Sequence, residues 1–127
     1  MIDTLSKDLL ELIMNTLPFE LTIIDEHNKV LYFNREGKRI FPRPQSVIGK
    51  KVQDCHPPKT LHLVNQVIDD LRTARRESAS FWIDLHRRKI YIRYFALRNQ
   101  EGRYMGCIEV TQDITEVQKL EGERRLL

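Results

Sequence analysis

The chain has 127 residues, the size of one domain with one modest core. Hydrophobic residues make up 41% and charged residues 31%, which is ordinary for a folded soluble protein and argues against long disordered segments. Lys plus Arg number 21 against 18 Asp plus Glu, and the resulting net charge of +3 is too small to indicate a nucleic-acid partner.

The first 16 residues have the spacing of an amphipathic helix. Pro18 restricts the residue before it and therefore ends this pattern. So broad an apolar face on a short helix must pack against the domain itself or against a partner. The apolar stripe comprises Ile2, Leu5, Leu9 and Ile13, widened by Leu10, Leu12 and Met14.

Two short strands and a longer helix are predicted next. Strand patterns over 21–25 and 30–34 are joined by four polar residues, which indicates a hairpin. Prolines and glycines between 35 and 54 allow only single helical turns. A longer helix follows over 59–73, because proline is tolerated in a first turn and the next apolar residues recur at helical spacing. These residues are Leu61, Val64, Val67, Ile68 and Leu71.

The last third predicts three strands, over 79–85, 90–97 and 104–111. Tight connections at 86–88 and 99–102 favour an antiparallel meander. Thr115 and Gln118 then form a T-x-x-Q capping box, which predicts a new helix from residue 116 onward.

The last hairpin is predicted to be apolar on both faces. A turn at 99–102 pairs Arg98 with Arg103, Ala96 with Met105, Tyr94 with Cys107 and Ile92 with Glu109. One face then packs on the 59–73 helix, and the N-terminal helix covers the other, outer face. Because that helix is short, we expect the remaining outer face to form a dimer interface. The residues assigned to this surface are Leu5, Leu9, Ile13, Trp82, Phe95, Leu97, Ile108 and Val110.

This order of elements resembles a PAS domain. The residues that carry the resemblance are Leu21-Thr-Ile-Ile-Asp-Glu, Val30-Leu-Tyr-Phe-Asn, Val47-Ile-Gly-Lys-Lys-Val, Gly102-Arg-Tyr-Met-Gly and Asp113-Ile-Thr-Glu. The sequence is most similar to PAS domains that follow a hemerythrin-like domain in bacterial and archaeal proteins, on residues 55–59 and 121–127. This similarity suggests that the chain is a piece of a longer protein.

The resemblance implies an α+β fold with a five-stranded antiparallel sheet in the order 2-1-5-4-3. Helices would lie on its inner face and the N-terminal helix on its outer face. It also implies a flanking helix over 1–16, a PAS domain over 17–115 and the start of a C-terminal signalling helix over 116–127. PAS domains sense ligands, redox state or light, or serve as dimerisation modules.

A PAS cavity lies between the long helix and the inner sheet face, where the predicted register places Glu109 among apolar neighbours. An unpaired buried carboxylate is unfavourable by several kcal/mol. Glu109 therefore either hydrogen-bonds a ligand or His56, or lies near the open end of the strand or pairs with a basic residue. The candidate ligand-binding residues are His56, Cys55, Tyr94, Cys107, Glu109 and Ile92.

His56 precedes the long helix and is a candidate ligand for a haem iron, with a hydrogen-bonded structural histidine as the alternative. His62, on the helix itself, projects away from the apolar stripe. Cys55 and His56 are adjacent and lack an orienting third group, which argues against nucleophilic catalysis. The surrounding residues 53–57 differ from the cysteine motif of flavin photosensors, so a flavin adduct is not supported.

Basic residues cluster at three places and are interpreted as solvated surface, because acidic residues are interspersed and no aromatic platform accompanies them. The clusters are Arg35, Lys38, Arg39 and Arg43, then Arg72, Arg75 and Arg76, then Arg87, Arg88 and Lys89.

Cys55 and Cys107 are too few for a disulfide framework or a zinc site, no apolar run reaches the about 18 residues of a membrane helix, and no export signal begins the chain. The sequence therefore predicts a cytoplasmic, non-enzymatic PAS sensory module that binds a small molecule or cofactor and forms homodimers. The alternatives are a ligand-free dimerisation module and a haem-based redox or gas sensor.

Overall fold

A computed structural model describes residues 1–127 as a five-stranded antiparallel sheet with helices on both sides. The strands are β1 (Glu20–Asp25), β2 (Val30–Phe33), β3 (Ser78–Leu85), β4 (Arg88–Arg98) and β5 (Tyr104–Asp113), and the α-helices are α1 (Lys7–Thr16) and α2 (Leu61–Arg72). The order in the sheet is β2-β1-β5-β4-β3, which confirms the predicted fold class. None of the helices combines the length and apolarity needed to cross a bilayer.

The core lies between α2 and the inner face of the sheet. Leu71 of α2 and Val30 of β2 are fully buried, and Ile24, Ile68 and Cys107 pack with them. These residues face one another because strand side chains alternate between faces while α2 presents one apolar stripe. Single 3₁₀ turns over 45–47, 52–55 and 58–60 connect β2 to α2, as the prolines and glycines of this segment predict.

The N-terminal helix is shorter than predicted. Residues Ile2–Thr4 form a separate 3₁₀ turn, and α1 begins only after Ser6, whose Oγ accepts a hydrogen bond from the Leu9 amide at 3.0 Å. Serine is a preferred N-cap, so the chain starts a new helix there instead of continuing one helix from residue 1.

The end of α1 is fastened to the sheet by the buried side chain of Asn34. Its Nδ2 donates to the carbonyl oxygens of Met14 and Phe19, and its Oδ1 accepts from the Leu21 amide. The pKa of Tyr32, a residue of the outer face, is raised first by its partial burial and second by the nearby carboxylate of Glu11 on α1. These contacts place α1 beside β1 and β2 on the outer face.

The outer face is only partly covered in the single chain. Val110 is buried and Phe95, Ile108 and Leu5 are half-buried. Trp82, however, is 66% exposed, and Leu97, Leu9 and Ile13 are exposed as well. Exposed apolar side chains therefore remain on α1, β3 and β4.

The register of the last hairpin differs from the predicted one by two residues. Tyr94 pairs with Glu109, Ala96 with Cys107 and Ile92 with Thr111, while Arg98 pairs with Tyr104 across a bulge. The Asn99 side chain accepts hydrogen bonds from the amides of Glu101 and Arg103, so the loop holds five residues, 99–103, instead of four. A shift of two leaves the side chains of β4 and of residues 107–111 on their predicted faces because the strand period is two. The bulge changes the face of Tyr104, which the predicted register placed beside Leu97 on the outer face and which instead packs in the inner core with Leu71 and Cys107.

The helix predicted after the capping box is not formed. The chain makes one 3₁₀ turn, Val117–Lys119, and residues 120–127 have no regular secondary structure. The hydroxyl of Thr115 accepts from the Lys89 amide at 2.8 Å and donates to Asp113. The hydroxyl therefore holds the chain against β4. A helix cap would require it to accept from the amide of Gln118, which it does not.

We expect Gly106→Ala to destabilise the fold far more than Gly102→Ala. Both glycines have positive φ, +149° and +81°, but only at Gly106 would a Cβ stand 2.1 Å from a backbone oxygen, that of Ile24. A residue other than glycine at a positive φ lowers the free energy of unfolding by about 1–3 kcal/mol. At Gly106 the new methyl group would also push β1 away from β5, which adds to this loss. Urea unfolding of both variants measures the difference, and equal losses would show that the β1–β5 contact yields to the new methyl group.

Candidate functional site

A cavity of about 200 Å³ lies between α2 and the inner face of the sheet. Its walls come from both layers and from the residues that lead into α2. Nine of the thirteen lining residues are hydrophobic, and two of these, Leu63 and Phe81, are exposed to solvent. The lining residues are Thr22, Ile24, Val52, His56, Thr60, Leu63, Val64, Val67, Ile68, Phe81, Tyr94, Cys107 and Glu109.

The polar end of the cavity is one row of the sheet. Glu109 on β5 pairs with Thr22 on β1 and with Tyr94 on β4, so the three side chains stand together on the inner face. Arg43 Nη2 lies 3.7 Å from Glu109 Oε1, and both side chains are about nine-tenths buried. Arg43 Nε also donates to the Thr22 hydroxyl at 3.2 Å. This pairing agrees with the interpretation in which Glu109 meets a basic residue.

A second buried ion pair lies beside the first. Arg39 and Glu20 have side chains only 1% and 3% exposed, with Arg39 Nη2 at 3.6 Å from Glu20 Oε1. Arg39 Nη1 donates to the carbonyl oxygens of Leu21 and Asn34, and Glu20 accepts from the amides of Ile40 and Phe41. Two carboxylates and two guanidinium groups therefore form a cluster with no net charge.

The interpretation of the first basic cluster as solvated surface is wrong for Arg39 and Arg43. Both guanidinium groups point into the domain because the segment after β2 folds back over the inner face. Lys38, between them, is exposed as predicted. In the other clusters, Arg75 and Arg76 pair with the buried Asp70, and Arg88 pairs with Asp113 at the surface.

Burial makes Tyr94 and Cys107 weak acids. Desolvation, and then the nearby Glu109 carboxylate, raise the pKa of Tyr94 well above its ordinary value and the pKa of Cys107 to about 12. The Tyr94 ring also meets Phe81 edge to face, with ring centres 6.0 Å apart. At neutral pH the cavity therefore presents a neutral phenol and a neutral thiol, and the Cys107 thiol is not a nucleophile.

His56 reaches the cavity from the turn before α2. Its Nδ1 lies 3.0 Å from the carbonyl oxygen of Val52. Because a carbonyl only accepts, Nδ1 carries the proton, and Nε2 of the neutral ring remains an acceptor. The chain brings no three metal-ligating side chains together.

The other candidate residues lie elsewhere. Cys55 is half-exposed, and its sulfur is directed at the Lys51 carbonyl, outside the cavity lining. Ile92 is on the inner face but one row beyond Tyr94, paired with Thr111 instead of Glu109, and does not line the cavity. His62 is exposed on α2. The cavity thus joins His56, Tyr94, Cys107 and Glu109 of the predicted set.

The sequence contains a signal for the polar cluster that periodicity alone did not reveal. Glu20 and Thr22 alternate along β1 as Glu109 and Thr111 do along β5, and both pairs fall on the inner face. Two matched polar pairs on neighbouring strands require buried partners, because desolvated carboxylates are costly when unpaired. The nearest basic segment, residues 35–43, supplies them.

Comparison with known proteins identifies the same fold. A family model described as a PAS domain matches residues 10–115. The C-terminal domain of a Streptococcus mutans protein is 34% identical, with a TM-score of 0.86, over 92% of this chain and 91% of that one. A sensory box sensor histidine kinase from Vibrio cholerae (16% identity, TM-score 0.60, 86% and 92% covered) and the PAS domain of Bordetella pertussis BvgS (19%, 0.64, 88% and 88%) share the fold. Curated protein sequences give no match.

We expect Arg39→Met to destabilise the protein by about 3–5 kcal/mol, because it leaves the buried Glu20 carboxylate without its cation. Lys38→Met, the same change at the exposed neighbour, should alter stability by less than about 0.5 kcal/mol. Urea unfolding followed by circular dichroism compares the two. Similar losses in both variants would contradict the role given to the Glu20–Arg39 pair.

Proposed function

Because this chain belongs to the PAS domain family, we propose that it is a sensory module that binds a small molecule in its inner cavity. PAS domains are generally sensory and non-catalytic. The observation that carries the proposal is an apolar cavity of about 200 Å³ closed at one end by the row Thr22, Glu109 and Tyr94. A concave apolar pocket with a few convergent polar groups is the common form of a ligand site.

The strand that carries Glu109 also leads to the end of the domain. Cys107 and Glu109 line the cavity, and four residues further on β5 ends at Asp113. Asp113 accepts from Arg88 Nε at 2.7 Å, and the following Ile114 amide donates to the Lys89 carbonyl. We infer that a ligand alters the β4–β5 pairing and thereby residues 113–115. Transmission requires two packings that the ligand stabilises unequally.

The size of the cavity favours a compact ligand over haem. An engineered apolar cavity of about 150 Å³ holds one benzene molecule. A space of about 200 Å³ therefore suits one ring or two fused rings, whereas a haem macrocycle has four pyrrole rings and two propionates. His56 acts in this proposal as an acceptor in the wall and not as an iron ligand. Cys55 and Ile92, which lie outside the lining, belong to the surroundings of the site.

We expect Val64→Phe to abolish ligand-induced stabilisation. Val64 lines the cavity, and a phenyl ring there occupies space that a ligand needs. Differential scanning fluorimetry against a library of one- and two-ring compounds should show compounds that raise the melting temperature of the wild type and not of this variant.

The control is Val117→Phe, the same change at an exposed site outside the cavity, which should retain the response. The proposal fails if no compound stabilises the wild type, or if Val64→Phe responds as the wild type does.

A second function, self-association, is favoured by the uncovered outer face. Trp82 is 66% exposed, and Leu9, Leu12 and Ile13 of α1 are exposed as well. We propose that two copies pair through it, α1 of one against β3 and β4 of the other. The flanking assignment of residues 1–16, the signalling role of 116–127, the cytoplasmic location and the hemerythrin-linked context stay predictions from the sequence.

We expect Trp82→Glu to weaken dimerisation at least tenfold, because it places a charge in an apolar contact. Sedimentation equilibrium over a range of concentrations measures the dimer constant. Ile48→Glu, a matched change at an exposed residue between β2 and α2, should leave it unchanged. A wild type that sediments as a monomer at every concentration would contradict the interface.

A further inference from the structure

We propose that the ligand is a neutral molecule of one or two rings with an N–H or O–H donor, and that Glu109 accepts this donor. The inference rests on the proposed function and adds the chemical class of the ligand. It follows from three properties of the cavity: the acceptors in its wall, the charge of its polar end, and its size.

The polar groups free to meet a ligand are mainly acceptors. Arg43 Nη2 is 3.7 Å from Glu109 Oε1, which is an ion pair beyond hydrogen-bond distance, and the Tyr94 hydroxyl is placed to donate to the same carboxylate. A carboxylate has about four acceptor positions, so Glu109 can accept a further hydrogen bond from a ligand. His56 contributes a second acceptor, Nε2, because its Nδ1 donates to Val52. A ligand that offers donors satisfies both groups.

The charge of the polar end selects against ions. Glu20 and Glu109 are matched by Arg39 and Arg43, so the cluster is already neutral. An anionic ligand would stand against the Glu109 carboxylate, and a cationic one would compete with Arg43 inside a poorly solvated site. Either ion would also lose its own hydration among mostly apolar walls. A neutral donor avoids these losses and gains a hydrogen bond to a charged acceptor, which is stronger than one between neutral groups.

The test compares indole with benzofuran, two fused-ring molecules of one shape that differ in a single N–H donor. Isothermal titration calorimetry of the full chain should give at least tenfold tighter binding of indole. Benzoate and benzamidine, an anion and a cation of similar size, should bind more weakly than indole. In Glu109→Gln, which keeps the volume and an acceptor oxygen but removes the charge, the preference for indole over benzofuran should narrow by threefold or more.

The control variant is Glu101→Gln, the same change at an exposed residue of the loop between β4 and β5, outside the cavity, and it should leave the preference unchanged. Circular dichroism checks that both variants fold.

Equal affinities for indole and benzofuran, tighter binding of benzoate or benzamidine, or a preference unaffected by Glu109→Gln would each overturn the ligand class while leaving the cavity a binding site. Failure of all four probes to bind would also overturn the ligand class. Whether the cavity binds small molecules at all is decided separately by the fluorimetry screen, which compares the melting temperatures of the wild type and of Val64→Phe in the presence of the compound library.

Discussion

The buried pair of Glu20 and Arg39 is the interaction on which the shape of the inner side depends. Removing two opposite charges from water is unfavourable unless each is fully hydrogen-bonded. Here Glu20 accepts the amides of Ile40 and Phe41, and Arg39 donates to two carbonyl groups of the sheet region. These hydrogen bonds to the two buried charged side chains hold the segment after β2 in place against β1. That position in turn brings Arg43 to Glu109, whose side chain lines the cavity.

The layered architecture could be predicted because it follows from periodicity. The strands and α2 lie within a few residues of their predicted bounds, and the order of elements in the sequence resembles a PAS domain. The faces of β4 and of residues 107–111 in β5 were predicted correctly although their pairing was not, whereas Tyr104 was predicted on the outer face and lies in the inner core. A five-residue loop and a bulge near Arg98 shift the pairing of the two strands by two residues. Because side chains alternate between faces with a period of two, the pattern of apolar residues cannot distinguish two registers that differ by two.

What could not be predicted involves side chains that serve distant partners. Arg39 and Arg43 occur in a polar, breaker-rich segment whose composition is typical of surface loops, and only the folded chain shows that it returns over the inner face. Thr115 has the spacing of a helix cap, yet its hydroxyl meets an amide of β4 that is 26 residues away in sequence. Local motifs report local preferences, and tertiary contacts override them when they bury or satisfy more groups.

The contacts that hold residues 113–116 against the start of β4 are of a different kind from those of the inner cluster. Arg88, Asp113 and Glu116 meet where solvent reaches all three, and exposed ion pairs contribute about 0–1 kcal/mol each. Because each of these ion pairs is solvated and weak, separating residues 113–116 from β4 costs far less free energy than separating the buried Glu20–Arg39 pair. The end of the domain is therefore the part of the sheet edge that can rearrange without unfolding the core.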